Sequence, residues 1–191
     1  NKPYNSLVND TISTTYSLSD YYAYDDGTAE KGAGVNGENS FMVCQYPNFG
    51  DSLQRLKGVD IYFPPVVQTN QVGQQVRLKV WDHFNGQPGK VLFSKLVGIT
   101  KTDTIDGFKR YEFYSDVTVA DTFYVGWEQL SASRIFVGLD KNTRNEDKIW
   151  INTIGEWEQI NGEIEGSLMM RPFFSEQLRD DAGNLTVGTE S

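Results

Sequence analysis

Short apolar and aromatic runs repeat along this chain, each closed by a turn signal. Inside them the side chains alternate with a period of two, and no helical period of useful length is present. The clearest runs are Phe41–Tyr46, Gly58–Phe63, Val76–Asp82, Val91–Ile99, Phe108–Tyr114, Thr122–Trp127, Arg134–Leu139, Lys148–Ile151 and Ser167–Phe173. A two-residue period places alternate side chains on opposite faces of an extended chain, so each run can bury one face and wet the other. In Arg77-Leu78-Lys79-Val80-Trp81-Asp82, Leu78 and Val80 are expected to face a core, with Arg77 and Lys79 outward. Phe123, Val125 and Trp127 share one face of their run, as do Ile135, Val137 and Leu139. Gly126 and Gly138 fall on the opposite faces, where a strand glycine marks a close approach or a bulge. Many short strands with frequent turns make an all-β, antiparallel two-sheet β-sandwich of jelly-roll type the expected fold.

The turns support that reading. Asn85-Gly86 and Pro88-Gly89 are expected in one loop, and Asn36-Gly37, Asp106-Gly107 and Asn161-Gly162 are further tight-turn candidates. One helical turn is expected across Ser52–Lys57. Residues 1–19 read as an N-terminal strand or linker, 20–174 as the sandwich, and 175–191 as a polar tail or linker. The 191 residues suit one large β domain, which buries roughly 70% of its unfolded surface and needs no disulfide staple. Cys44 is the sole cysteine, set in an apolar run, and a buried small hydrophobe is the expected role.

Charge excludes some partners. At a net charge of −9, no basic stripe is available for phosphate contacts, so nucleic acid is not an expected partner. No stretch of 18 apolar residues occurs, so no membrane-inserting helix is expected. The chain opens on Asn1 and is read as a processed or excised piece.

Catalytic constellations are poorly served. His83 is the only histidine, so any Ser-His-Asp or Cys-His arrangement, including a peptidase, would have to use it. One histidine and one cysteine also fall short of the usual zinc or iron ligand set. A pair of carboxylates among Glu112, Glu128, Glu156, Glu158, Glu163 and Glu165 would suffice for a glycosidase, if two of them faced each other across a cleft. Asp25, Asp26 and Glu30 group hard oxygens around Gly27 and offer ligands for a structural calcium; the alternative is that they cap a turn. No other cofactor is required. Tyr24, Trp150 and Trp157 are the candidate ligand-binding aromatics, because a flat ring can stack on a sugar face or a peptide. For Trp81 and Trp127, packing is the favoured role.

Several stretches, in order, resemble a family. They are Asp20-Tyr21-Tyr22-Ala23-Tyr24-Asp25-Asp26-Gly27-Thr28-Ala29-Glu30, Lys57-Gly58-Val59-Asp60-Ile61-Tyr62-Phe63, Val80-Trp81-Asp82 with Gly86-Gln87-Pro88-Gly89, Phe123-Tyr124-Val125-Gly126-Trp127, Val137-Gly138-Leu139-Asp140, and Gly166-Ser167-Leu168-Met169-Met170-Arg171-Pro172. Together they resemble the β-sandwich accessory modules of secreted multidomain proteins of Bacteroidetes-type bacteria. The resemblance implies a secreted or cell-surface location, a sorting domain for type IX secretion beyond the tail, and no established catalytic residues. It implies a role in adhesion, with a glycan or a surface protein as partner, on a monomeric module. Asp10-Thr11-Ile12, Asp51-Ser52-Leu53 and Asp103-Thr104-Ile105 resemble the short O-glycosylation signal of such bacteria, which would modify Thr11, Ser52 and Thr104.

The functional expectation is therefore a non-catalytic extracellular module that binds glycan or protein. A purely structural spacer and a hydrolase using paired carboxylates are the alternatives.

Overall fold

The computed structural model describes residues 21–47, 53–65, 70–101, 107–160, 162 and 164–175. Within them the chain is all-β. The strands are β1 (Lys31–Ala33), β2 (Phe41–Pro47), β3 (Gln54–Ile61), β4 (Gln75–Phe84), β5 (Gln87–Gly98), β6 (Lys109–Val119), β7 (Thr122–Gln129), β8 (Val137–Asp140), β9 (Ile149–Asn152), β10 (Glu158–Gln159), β11 (Ser167–Leu168) and β12 (Met170–Phe174). A single 3-10 turn, Glu146–Lys148, precedes β9. Thr11, Ser52 and Thr104 lie outside the described residues, as do the expected N-terminal strand and most of the tail.

One layer is a six-stranded sheet in the order β10-β9-β2-β7-β4-β5. The other layer is divided into two three-stranded sheets, β12-β3-β6 and β1-β8-β11. All the pairings are antiparallel, and none closes the sheets into a barrel. The two smaller sheets meet where Met169 interrupts the chain between β11 and β12. There the Tyr62 N–H donates to the Met169 carbonyl at 3.1 Å, Met169 N–H to Gly138 at 2.9 Å, and Gly138 N–H to Tyr62 at 2.9 Å. A Cβ on Gly138 would sit 2.6 Å from the Tyr62 ring, so this join depends on glycine.

A single core fills the space between the layers. Met42, Cys44 and Tyr46 of β2, Leu78 and Val80 of β4, and Phe123, Val125 and Trp127 of β7 meet Leu56, Val59 and Ile61 of β3 and Met170 of β12. Along β2, β4 and β7 these are the positions that the two-residue alternation assigns to the inner face, whereas in β3 a register shift between Leu56 and Gly58 brings Leu56 into phase with Val59 and Ile61. Each buried Val, Leu or Phe contributes roughly 1.5–3 kcal/mol relative to exposure. The Tyr46 hydroxyl crosses the core to donate to the Met170 carbonyl at 2.6 Å.

Three local expectations are corrected. The stretch expected to make a helical turn enters β3 at Gln54 instead, because Leu56 pairs with Val117 of β6 and with Phe174 of β12. Pro88-Gly89 lies within β5 and not in a loop. The turn needs only Asn85 (φ 50°) and Gly86 (φ 84°), both left-handed, as a two-residue hairpin requires. The run beginning at Arg134 becomes a strand only at Val137. Before it, two buried glutamines satisfy the backbone in place of a neighbouring strand: Ile135 N–H donates to Gln129 Oε1 and Phe136 N–H to Gln71 Oε1, each at 2.9 Å.

Candidate functional site

Opposed residues on antiparallel strands share a face, so the register of the six-stranded sheet specifies its outer surface. One row runs Phe41, Glu128, Arg77, Leu96 from β2 to β5. The next runs Trp150, Val43, Gly126, Lys79, Ser94. The third runs Gln45, Tyr124, Trp81, Val91. Gly126 stands at the centre with no side chain, the space one would fill being taken by Val43 and the Met42 carbonyl, and the rings of these rows pack together around Val43.

They do so as a second, smaller apolar cluster separate from the core. Val43, Trp81, Tyr124 and Trp150 are buried in it, and Phe41 and Trp157 are half-buried against it. Phe41, Trp81 and Trp157 form a triangle: ring centroids are 6.1 Å apart for Phe41 and Trp81, 5.9 Å for Phe41 and Trp157, and 5.6 Å for Trp81 and Trp157. The two contacts of Trp81 are edge-to-face, the favoured geometry for aromatic pairs. Trp157 is brought there by the segment that leaves β9 and returns as β10, flanked by the exposed Glu156 and Glu158. Trp150 sits deeper, its ring edge-on to Tyr124 at 6.1 Å and its Nε1–H donating to Gln45 Oε1 at 3.2 Å.

Beside the triangle lies an ionic group. Glu128 Oε2 accepts from Arg77 Nη1 at 2.8 Å and from Lys79 Nζ at 2.9 Å. Lys79 also lies 4.9 Å from the centroid of the Phe41 ring, within cation–π range. Burial works to raise the Glu128 pKa, but the hydrogen bonds from Lys79 and Arg77, reinforced by their charges, hold it below the usual carboxylate range. The carboxylate is thus ionised near neutrality and already engaged. Glu112, on the other layer, is exposed and faces Gly58.

The remaining chemistry-bearing residues are placed as follows. His83 lies near the end of β4, exposed, stacked on Tyr124 at 5.9 Å with Nδ1 2.8 Å from its hydroxyl. Cys44 is buried in the core, and burial, the leading cause, pushes its thiol up to about 12. The structure thus separates the histidine from the cysteine, which lie on opposite faces of one sheet. Tyr24 does not join Trp150 and Trp157. It stacks on Tyr46 at 5.3 Å, at the margin of the core, and its hydroxyl donates to the Gln45 carbonyl at 3.0 Å.

The acidic turn is knitted to the β8 end of the fold. Asp25 is buried and receives Arg171 Nη2 at 2.5 Å and Nε at 3.2 Å, and also Gly27 N–H at 3.0 Å. Asp26 and Glu30 share the Asn142 side-chain amide, at 3.1 Å each, and Glu30 also accepts from Lys141 N–H at 2.7 Å. Asp140, buried, accepts from Asp26 N–H at 2.7 Å and Asn142 N–H at 2.6 Å. Hydrogen bonds from Thr28 and Asn142 hold the Asp26 carboxyl below its ordinary value. Among the described residues, no group of three or more His, Cys, Asp or Glu side chains is placed to hold a metal ion.

Reading the sequence alone missed Phe41 as a neighbour of Trp157, and Lys79, with Arg77 and Glu128, as the ionic group beside Phe41. The signal available was their alternation out of phase with the core residues of β2, β4 and β7. No protein-family model, curated protein or solved structure matches this chain.

Proposed function

We propose that this chain is a non-catalytic β-sandwich module of a larger secreted or cell-surface protein, and that it binds glycan on the outer face of its six-stranded sheet. One observation carries the reading: Trp157 is half-buried, wedged against Phe41 and Trp81, and Lys79 of the fixed Glu128–Lys79–Arg77 group lies over the same Phe41 ring. A sandwich needs only one buried face per sheet, and the inner core already supplies it. The second cluster holds an aromatic ring in place before any ligand arrives, which lowers the ordering cost of binding. Its rim offers the Arg77 guanidinium, 41% exposed and held in place by Glu128, a group that hydrogen-bonds sugar hydroxyls while a ring stacks beneath.

Titration of the purified chain with a panel of soluble oligosaccharides, read by calorimetry and by tryptophan fluorescence, tests this. Binding that falls about tenfold or more in Trp157→Ala, with the β-sheet circular dichroism retained, is the expected result. No binding of any panel member at millimolar concentration would leave a spacer role in its place. Hydrolysis of a bound oligosaccharide would overturn the non-catalytic assignment.

A further inference from the structure

Two segments far apart in sequence close one margin of the fold. β12 is an end strand of its sheet, paired along its whole length with β3, from Met170 opposite Ile61 to Phe174 opposite Leu56. Its other side receives the chain that leads toward β1. Tyr21 bridges Phe173 in the antiparallel sense, and the Tyr22 N–H donates to the Pro172 carbonyl at 2.9 Å. The Tyr22 ring stands edge-on to Phe174, with centroids 5.3 Å apart. Further in, Asp25 takes the Arg171 fork, and the same guanidinium lies 5.3 Å from the centroid of the Tyr21 ring. The outgoing chain is anchored as well. Ser175 donates its N–H to the Arg55 carbonyl of β3 at 2.9 Å and its Oγ–H to Asp116 of β6 at 2.7 Å.

Hydrogen bonds in an antiparallel pair stand perpendicular to the strands. The chain entering at Tyr21 and the chain leaving after Phe174 part from this pair at the same end. Tension that draws them apart therefore loads the contacts one after another, as a zipper does. Strands drawn lengthwise past each other share the load instead. We propose that Tyr21–Asp25 and Arg171–Phe174 form a latch, through which tension on the flanking chain enters the fold and which opens before the sheets slide. The incoming segment is the side that lifts, because β12 and Ser175 are held to β3. The Arg171–Asp25 pair is the clasp. Once Tyr21 and Tyr22 have left β12 it is next in line, and parting it leaves a largely buried cation without its counter-charge. The inference does not rest on what the outer face of the six-stranded sheet binds.

The test is optical-tweezer unfolding of the full chain, with handles fused at Asn1 and Ser191. Forced unfolding follows the unfolding barrier, so Asp25→Asn is expected to lower the unfolding force by about twofold. Leu78→Ala, which removes core packing, is the comparison, and for the same loss of urea stability it should lower the force less. A second arm places Tyr21→Cys and Phe173→Cys in a Cys44→Ala chain and joins them with oxidised glutathione. Opposed strand residues have Cα atoms about 4.5–5.5 Å apart, within disulfide reach. Tension then runs through the sulfur bridge and bypasses the sheets. No unfolding event is expected in the oxidised chain, and addition of a reductant should restore it. An unfolding event of undiminished length in the oxidised chain would overturn the inference. So would equal loss of force, for equal loss of stability, in Asp25→Asn and Leu78→Ala.

Discussion

Arg171 and Asp25, 146 positions apart in sequence, meet through a two-pronged ion pair that ties the segment before β1 to β12. The Arg171 guanidinium also lies 4.1 Å from the centroid of the Phe108 ring and 5.3 Å from that of Tyr21. The Asp25 side chain is fully buried and that of Arg171 is 17% exposed, so each charge depends on the other. Replacing Asp25 with Asn should lower unfolding stability by about 3 kcal/mol, because a buried cation loses its counter-charge. Urea denaturation followed by circular dichroism measures this, and Arg171→Lys should be only partly tolerated since it loses the fork.

The oxygens of the acidic turn are already committed to Arg171, Asn142 and backbone N–H groups. Thermal unfolding midpoints should therefore agree in excess calcium and in excess chelator. A calcium-dependent rise, absent from a Glu30→Gln variant, would instead assign Asp25, Asp26 and Glu30 as ligands.

Glu128 makes stability depend on acid. Its folded pKa lies below the unfolded value, so the folded state binds this proton less readily. The contribution is complete above the ordinary carboxylate range and is lost as pH falls through that range to the folded pKa. Glu128→Gln should lower stability at pH 7 by about 1–3 kcal/mol and leave a shallower acid limb. Urea midpoints of both proteins across the acid range provide the comparison.

The Cys44 thiol is buried and pushed up to about 12 by desolvation. A thiol reagent such as Ellman's should leave the native chain unmodified at pH 8 and react with one equivalent once denaturant is added. Rapid native labelling would show that β2 opens locally.

Gly126 admits no side chain. An added Cβ would lie 2.2 Å from the Met42 carbonyl oxygen and 2.6 Å from the Val43 Cα, both backbone atoms of β2. Gly126→Ala should force β2 from β7 and destabilise the chain by about 3 kcal/mol or more. A variant with unchanged stability would show that the strands can separate locally without loss of the core.

Much of the fold was legible in the residues themselves. The alternation of Leu78 with Lys79 and of Phe123 with Tyr124 sorts inner from outer positions, because burial on one face of a strand is a two-residue local property. Asn85-Gly86 reads as a hairpin for the same local reason: few other pairs adopt left-handed backbone twice. The candidate site was legible only in part. Trp157 stood out between two glutamates, but Tyr24 sits apart from it, against Tyr46. Nothing in the spacing of Phe41, Trp81 and Trp157 places the three rings together.

What the sequence alone determined is therefore the kind of element and which side chains share a face, not that Trp81 and Tyr124 on the outer face would be buried. Which elements became neighbours was decided by the tertiary structure. Trp157 reaches Trp81 only because β2 and β7 lie between β9 and β4, and Asp25 finds Arg171 only because the segment before β1 runs beside β12. Alternation is encoded within a few residues of the chain. Adjacency across many tens of residues depends on strand order, which the shared core selects and no local stretch records.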